Sequence, residues 1–200
     1  QERLRRLPAR SSGRSGVAMK FAPTRIPDVV VVEPDVHGDD RGFFMETWHE
    51  RAFEEAGINA RFVQDNYTRS TGGVLRGMHY QVGQPQGKLI RVVVGEAFDV
   101  AVDLRKTSPT FGQWVGETLS AMNKRSIWIP PGFAHGFFVT GASAEFVYRC
   151  TDYYAPQHER TLLWSDPDVA IEWPSFGPDQ PALSAKDVAG DRLMDAAVYA

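Results

Sequence analysis

From Ile26 onward the chain alternates short apolar runs with turn residues, and the runs have the length and β-branched, aromatic character of strands. VVVVE over 29–33 closes at Pro34, and GFFMETW over 42–48 is mostly apolar and aromatic. Then come FVQDNY from Phe62, VLRGMHYQ from Val74, KLIRVVV from Lys88, AFDVAVDL from Ala97 and QWVGETL from Gln113. SIWIP from Ser126, HGFFVTG from His135, AEFVYRC from Ala144 and TLLWS from Thr161 complete the series. The one convincing helical stretch is HERAFEEAG, from His49 to a stop signal at Gly57. Gly95-Glu96 between KLIRVVV and AFDVAVDL predicts a two-residue hairpin. Close-set strands with almost no helix predict an all-β fold, a double-sheet barrel of the jelly-roll kind with a few short helices.

No repeat or linker divides the chain, so residues 19–200 are expected to form a single domain. The first eighteen residues, QERLRRLPARSSGRSGVA, are basic and rich in Ser and Gly and read as a flexible tail. No apolar segment follows Arg5-Arg6, so export is not expected, and no run approaches membrane-spanning length. Hydrophobic residues at 42% and charged residues at 24% exclude disorder as the main state. A net charge of -3 argues against broad electrostatic binding to nucleic acid. The single cysteine, Cys150, has no internal partner, which fits a reducing, cytoplasmic setting.

Alternation in AFDVAVDL puts Phe98, Val100, Val102 and Leu104 on one face and Asp99, Ala101 and Asp103 on the other. The two aspartates are expected on the solvent side. Barrels of this type hold ligands inside, so inward polar groups carry the functional interest. Of the five histidines, His37, His49 and His158 lie in polar or helix-opening contexts and read as solvated. His79 and His135 instead sit in strand contexts flanked by glycine and aromatics. Such a histidine is more often a hydrogen-bonded core group than a functional one, and spacing alone does not separate the two.

Pro130 to His135 fits P-x-G-x-x-H, half of a cupin metal signature. The other half needs a second histidine two residues after His79, where the chain has Gln81, and a glutamate that VGQPQGKL does not supply. Two histidines without a third ligand make a poor metal site, so no metal or other cofactor is expected. Acid–base chemistry remains. A histidine is a good base near neutral pH when a carboxylate orients it, and Asp187, ending LSAKD, is a candidate partner. A cation such as Lys88 suits a developing oxyanion, and Tyr148 in an apolar setting could deliver a proton.

RGFFMETW, FVQDN, VLRGMHYQ, QGKLIRVVVGEAFDVAVDLRKTSPTFGQWVG, NKRSIWIPPGFAHGFFV, EFVYRCTDYYAP and LSAKD, in this order, closely resemble the dTDP-4-dehydrorhamnose 3,5-epimerase family. The resemblance covers nearly the whole chain from about residue 20. It implies a cupin-type jelly roll without metal, working as a homodimer on dTDP-4-dehydro-6-deoxy-D-glucose to give dTDP-4-dehydro-L-rhamnose. By motif it also implies His79 as base, Asp187 as its partner, Tyr148 as general acid and Lys88 as the enolate's cation. His135 and Arg76 match positions lining the sugar and diphosphate pocket, and Arg41, Glu46, Gln64 and Asn66 match positions associated with the nucleotide. If the GFFMETW run is an exchanged edge strand, Arg41 and Glu46 would complete the neighbour's pocket.

Such chemistry needs residues of these types. A C4 ketone acidifies the hydrogens at C3 and C5; a base removes one, a cation steadies the enolate, and inversion needs a proton from the other face. A phenol starts protonated at neutral pH and can give it. Strict alternation places Arg76 and His79 on opposite faces, although both are wanted at the pocket; a bulge at Gly77 would reconcile them. Three competing readings are an epimerase acting at C3 or C5 alone, a metal-dependent cupin, and a silent sugar-nucleotide binding module.

Overall fold

The computed structural model describes residues 19–177 and 179–200. The segment expected as a tail lies outside them. A nine-stranded sheet carries the order β1-β2-β9-β7-β10-β6-β11, with β5 added to β10 and β8 to β7. Its strands are β1 (Met19–Pro23), β2 (Val30–Pro34), β5 (Gln64–Thr71), β6 (Leu75–Gln81), β7 (Lys88–Asp103), β8 (Trp114–Ser120), β9 (Ser126–Ile129), β10 (Phe133–Cys150) and β11 (Glu159–Thr161). A separate hairpin pairs β3 (Val36–Asp39) with β4 (Gly42–Met45). The sheet folds over on itself as a cupin-type jelly roll, as the strand pattern predicts. Helix α1 (Glu50–Glu55) is N-capped by the His49 ring, and Gly57 follows its end at φ +84°. Among the described residues no helix is long and apolar enough to cross a membrane.

The predicted hairpin at Gly95-Glu96 does not form. KLIRVVV and AFDVAVDL are one sixteen-residue strand, β7, and HGFFVTG and AEFVYRC are likewise one strand, β10. Both halves of β7 pair with β10, and the register jumps between Val139/Ala97 and Ala144/Gly95. Gly95, at φ +74°, therefore marks a corner where both strands pass from one side of the barrel to the other. A β-carbon there would stand 1.8 Å from the Ser143 carbonyl oxygen, so the corner excludes any side chain.

The faces of β7 are the second correction. Val100, Val102 and Leu104 are fully buried, but beneath Val169, Leu193, Val198 and Tyr199 of the C-terminal segment. Ala97 and Ala101 belong instead to the barrel interior with Ile90, Leu119, Phe137 and Phe146. Asp99 and Asp103, expected in solvent, are both 0% exposed. Alternation is correctly read, but the C-terminal segment covers the outer face, so both faces are dry and the polar face is the inner one. Asp103 is satisfied by Arg105, Ser108 and Thr110, whose hydroxyls each donate at 2.6 Å. These donors hold its carboxyl down at about 2, against the upward push of burial.

Candidate active site

One end of the barrel interior is apolar core, and the other opens as a cavity of about 380 Å³. Ile90, Phe137 and Phe146 close its inner end, and polar side chains from β5, β6, β7, β10, β11 and the C-terminal segment line its walls.

His79 and Arg76 both reach this cavity despite their spacing of three along β6. The pair His79↔His135 is followed by Arg76↔Phe137, a step of three residues on β6 against two on β10. This is the bulge expected at Gly77. Gly77 has φ +127°, and a β-carbon on it would lie 2.6 Å from Gly136 Cα. The close passage of the two backbones thus needs glycine, and the bulge turns Arg76 inward, where Ser70 Oγ accepts from its Nε at 2.9 Å.

Asp187 arrives from 108 positions away. Its segment is fixed by backbone hydrogen bonds from Ala182 to Gly73 and from Leu75 to Ala182, at 2.9 and 3.0 Å. Ser184 then caps the short helix α2 (Ala185–Val188) in a reciprocal box with Asp187. Asp187 Oδ2 accepts from Ser184 N and Oγ at 3.1 and 2.7 Å, and Oδ1 accepts from Gly77 N at 3.2 Å. Burial raises this carboxyl, but the donors from Ser184 and Gly77 outweigh it and leave the group below its ordinary value. Asp187 is therefore an ionised, acceptor-only group, and the 2.7 Å contact with His79 Nε2 has the ring donating. Nδ1 of the neutral ring is then the free basic nitrogen.

Burial lowers His79 to about 4, Lys186 and Lys88 add to that, and Asp187 opposes it. At neutral pH the ring is unprotonated and ready to accept. Lys88 enters from the first half of β7, directly opposite Cys150 across the strand pair. Its ammonium has no hydrogen-bond partner among the described residues. Burial pushes it below the usual lysine range, Cys150, Asp99 and Glu159 pull it back, and Lys186 repels it. Tyr148 lies on the second half of β10, opposite Asn66 and Ile90, and burial raises its phenol above the usual value. It is protonated at neutral pH.

Gln64, Asn66 and Thr68 alternate along β5 and all face the cavity. Gln64 Nε2 donates to Asn66 Oδ1 at 3.0 Å, and Asn66 Nδ2 contacts Cys150 Sγ at 3.6 Å. His135 completes the wall beside His79. Arg41 and Glu46 do not join this group within the chain. Arg41 is exposed at the tip of the β3–β4 hairpin and pairs with Asp39, and Glu46 follows the hairpin's end. Gln81, standing where a metal cupin would place a histidine, has its carboxamide bound to backbone: it donates to Gln84 and Tyr153 carbonyls and accepts from Ala155 N. No group of three or more His, Cys, Asp or Glu side chains among the described residues is arranged to hold a metal ion.

Sequence reasoning missed Tyr154, Glu159 and Lys186 at the cavity mouth. Lys186 Nζ donates to Glu159 Oε1 at 2.8 Å, and Tyr154 OH donates to Glu159 Oε2 at 3.1 Å. Tyr154 lies in a loop without periodicity, and Glu159 opens the three-residue strand β11, too short to show one. Lys186 had a signal, because it immediately precedes Asp187 in LSAKD.

A sequence model described as dTDP-4-dehydrorhamnose 3,5-epimerase matches residues 23–195. The chain belongs to this family. The dTDP-4-dehydrorhamnose 3,5-epimerase of Pseudomonas aeruginosa is 60% identical to it over 179 residues, 89% of this chain and 98% of the relative. A crystal structure of the 3,5-epimerase of Legionella pneumophila in complex with dTDP-4-keto-L-rhamnose superposes with a TM-score of 0.85 at 53% identity, covering 88% of this chain and 94% of that one. A 3′-monoepimerase from Streptomyces bikiniensis in complex with dTDP-quinovose shares the fold at 32% identity, with a TM-score of 0.80 and coverage of 86% and 87%.

Proposed function

We propose that this 3,5-epimerase family member is an isomerase that converts dTDP-4-dehydro-6-deoxy-α-D-glucose to dTDP-4-dehydro-β-L-rhamnose by proton transfer at C3 and C5. The observation that carries the reading is the His79–Asp187 pair, 2.7 Å apart, opening onto a cavity that also presents the unpartnered ammonium of Lys88. His79 Nδ1 removes the proton beside the C4 ketone. Asp187 holds the ring in the right tautomer and stabilises the imidazolium that forms. Lys88 receives the charge that develops on the C4 oxygen, in surroundings where an ammonium acts strongly. Tyr148, from a different strand than His79, donates to the opposite face of the carbanion. Repetition at the second carbon completes the double inversion, and no hydride moves. Arg76 and Lys186 supply positive charge for the diphosphate.

A proton NMR time course in D2O, with and without chelator, tests this. Loss of both the C3 and C5 signals, unaffected by chelator, is the expected result. Loss at one carbon alone reassigns the chain to single-position chemistry, for which the Streptomyces relative shows the same fold is suited. No exchange at either carbon removes the enzymatic reading.

Arg41 and Glu46 serve the nucleotide across a homodimer in the same proposal. The hairpin that carries them projects Phe43 and Phe44 into solvent at 61% and 67% exposure, an apolar surface suited to a second copy. Mixed dimers of Arg41→Ala and His79→Ala are expected to recover one competent site per heterodimer. Activity no greater than independent sites allow would place both residues outside any shared pocket.

A further inference from the structure

Asp99 lies behind the cavity wall, in contact with the lining residue His135, and the reaction as derived above does not use it. It is 0% exposed, and its neighbours on the inner face of β7 are Ala97 and Ala101. A carboxylate removed from water costs several kcal/mol unless it is paired and hydrogen-bonded. Among the described residues its hydrogen-bond partner is His135, whose Nε2 lies 3.1 Å from Oδ1 and 3.0 Å from Oδ2. With the Asp99 carboxylate as acceptor, Nε2 is the ring's donor, and Nδ1 is the ring nitrogen without a protein partner among the described residues. Asp99 is also one of the negative groups acting on Lys88. The other groups facing Lys88 are Cys150 of β10, Glu159 of β11, Lys186 of α2 and His79 of β6. His135, Tyr148 and Arg76 share the same walls.

We propose that Asp99 is a positioning residue: it fixes the ring of His135 so that Nδ1 is presented to the substrate. The use of that nitrogen in turnover rests on the epimerase reading. The structure then holds two histidine–carboxylate pairs side by side, because His79 and His135 are direct cross-strand partners. In the pair His79–Asp187 the histidine reacts; in the pair His135–Asp99 the carboxylate orients the ring.

Two measurements test the proposal. Long-range nitrogen–proton NMR of the wild-type protein, with His135→Gln for assignment, is expected to show a proton on His135 Nε2. A ring protonated on Nδ1 alone, with Nε2 bare, overturns the proposal. This measurement needs no turnover, so it stands apart from the epimerase reading, which fails only if wild-type protein exchanges no substrate hydrogen. The second measurement is the same spectrum, with kcat/KM, in Asp99→Leu and Asp99→Asn. Leucine removes the acceptor, so the proton is expected to spread over both His135 nitrogens and kcat/KM to fall about tenfold or more; asparagine keeps an acceptor and is expected to hold the proton on Nε2. A folded Asp99→Leu protein whose His135 proton stays on Nε2 alone overturns the proposal, because a purely structural residue would cost rate without moving the tautomer.

Discussion

His79→Asn is expected to lower turnover by about a thousandfold or more, while binding of the nucleotide moiety survives within a few-fold. Asparagine keeps a donor for Asp187 and much of the ring's volume, but it has no lone pair basic enough to take a carbon-bound proton. The readouts are deuterium uptake at C3 and C5 and calorimetric binding of dTDP. An unchanged exchange rate would remove His79 from the role of base. The wild-type pH profile makes the same claim from another side. The neutral ring is the active form, and burial with Lys186 and Lys88 nearby lowers it to about 4. The acidic limb of kcat/KM is therefore expected near that value: activity holds from neutrality downward and is lost as pH falls through it. A limb near 6.5, the ordinary histidine value, would mean that the ring is solvated in the working enzyme.

Tyr148→Phe is expected to separate two events that the wild type joins. Abstraction by His79 does not need the phenol, so deuterium uptake at C3 and C5 continues. Net inversion needs a donor on the other face, and it is expected to fall about a hundredfold or more. The phenol lies in the cavity wall without a hydrogen-bond partner among the described residues, so the change to Phe leaves no protein group unsatisfied. Following the product's coupling constants alongside its deuterium content resolves the two rates. Their decline in parallel would show that one group, and not two, handles the proton.

Much of this site was legible because chemistry-bearing residues occur in strands of regular period. His79, Lys88, Tyr148, Gln64 and Asn66 all reach the cavity, and the conflict between Arg76 and His79 pointed directly to the bulge at Gly77. What escaped reading depended on parts of the chain distant in sequence. Asp99 and Asp103 looked solvent-facing because the pattern of β7 does not reveal that residues 162–173 and 193–199 cover its other side. Gly95-Glu96 has hairpin chemistry, yet pairing of both halves of β7 with β10 makes it a corner. Tyr154 is placed by a loop whose backbone is tied down by Gln81, and Glu159 by pairing of β11 with β6, interactions with no local signature.

His79, the proposed base, and Asp187 are 108 positions apart in the chain. Bringing them together requires the strands between them to be paired and the C-terminal segment to be docked, which places this contact among the costliest loop closures of the fold. A partly assembled barrel can carry the histidine without the aspartate. Under the proposed mechanism, catalytic activity therefore reports docking of the C-terminal segment, which strand content does not.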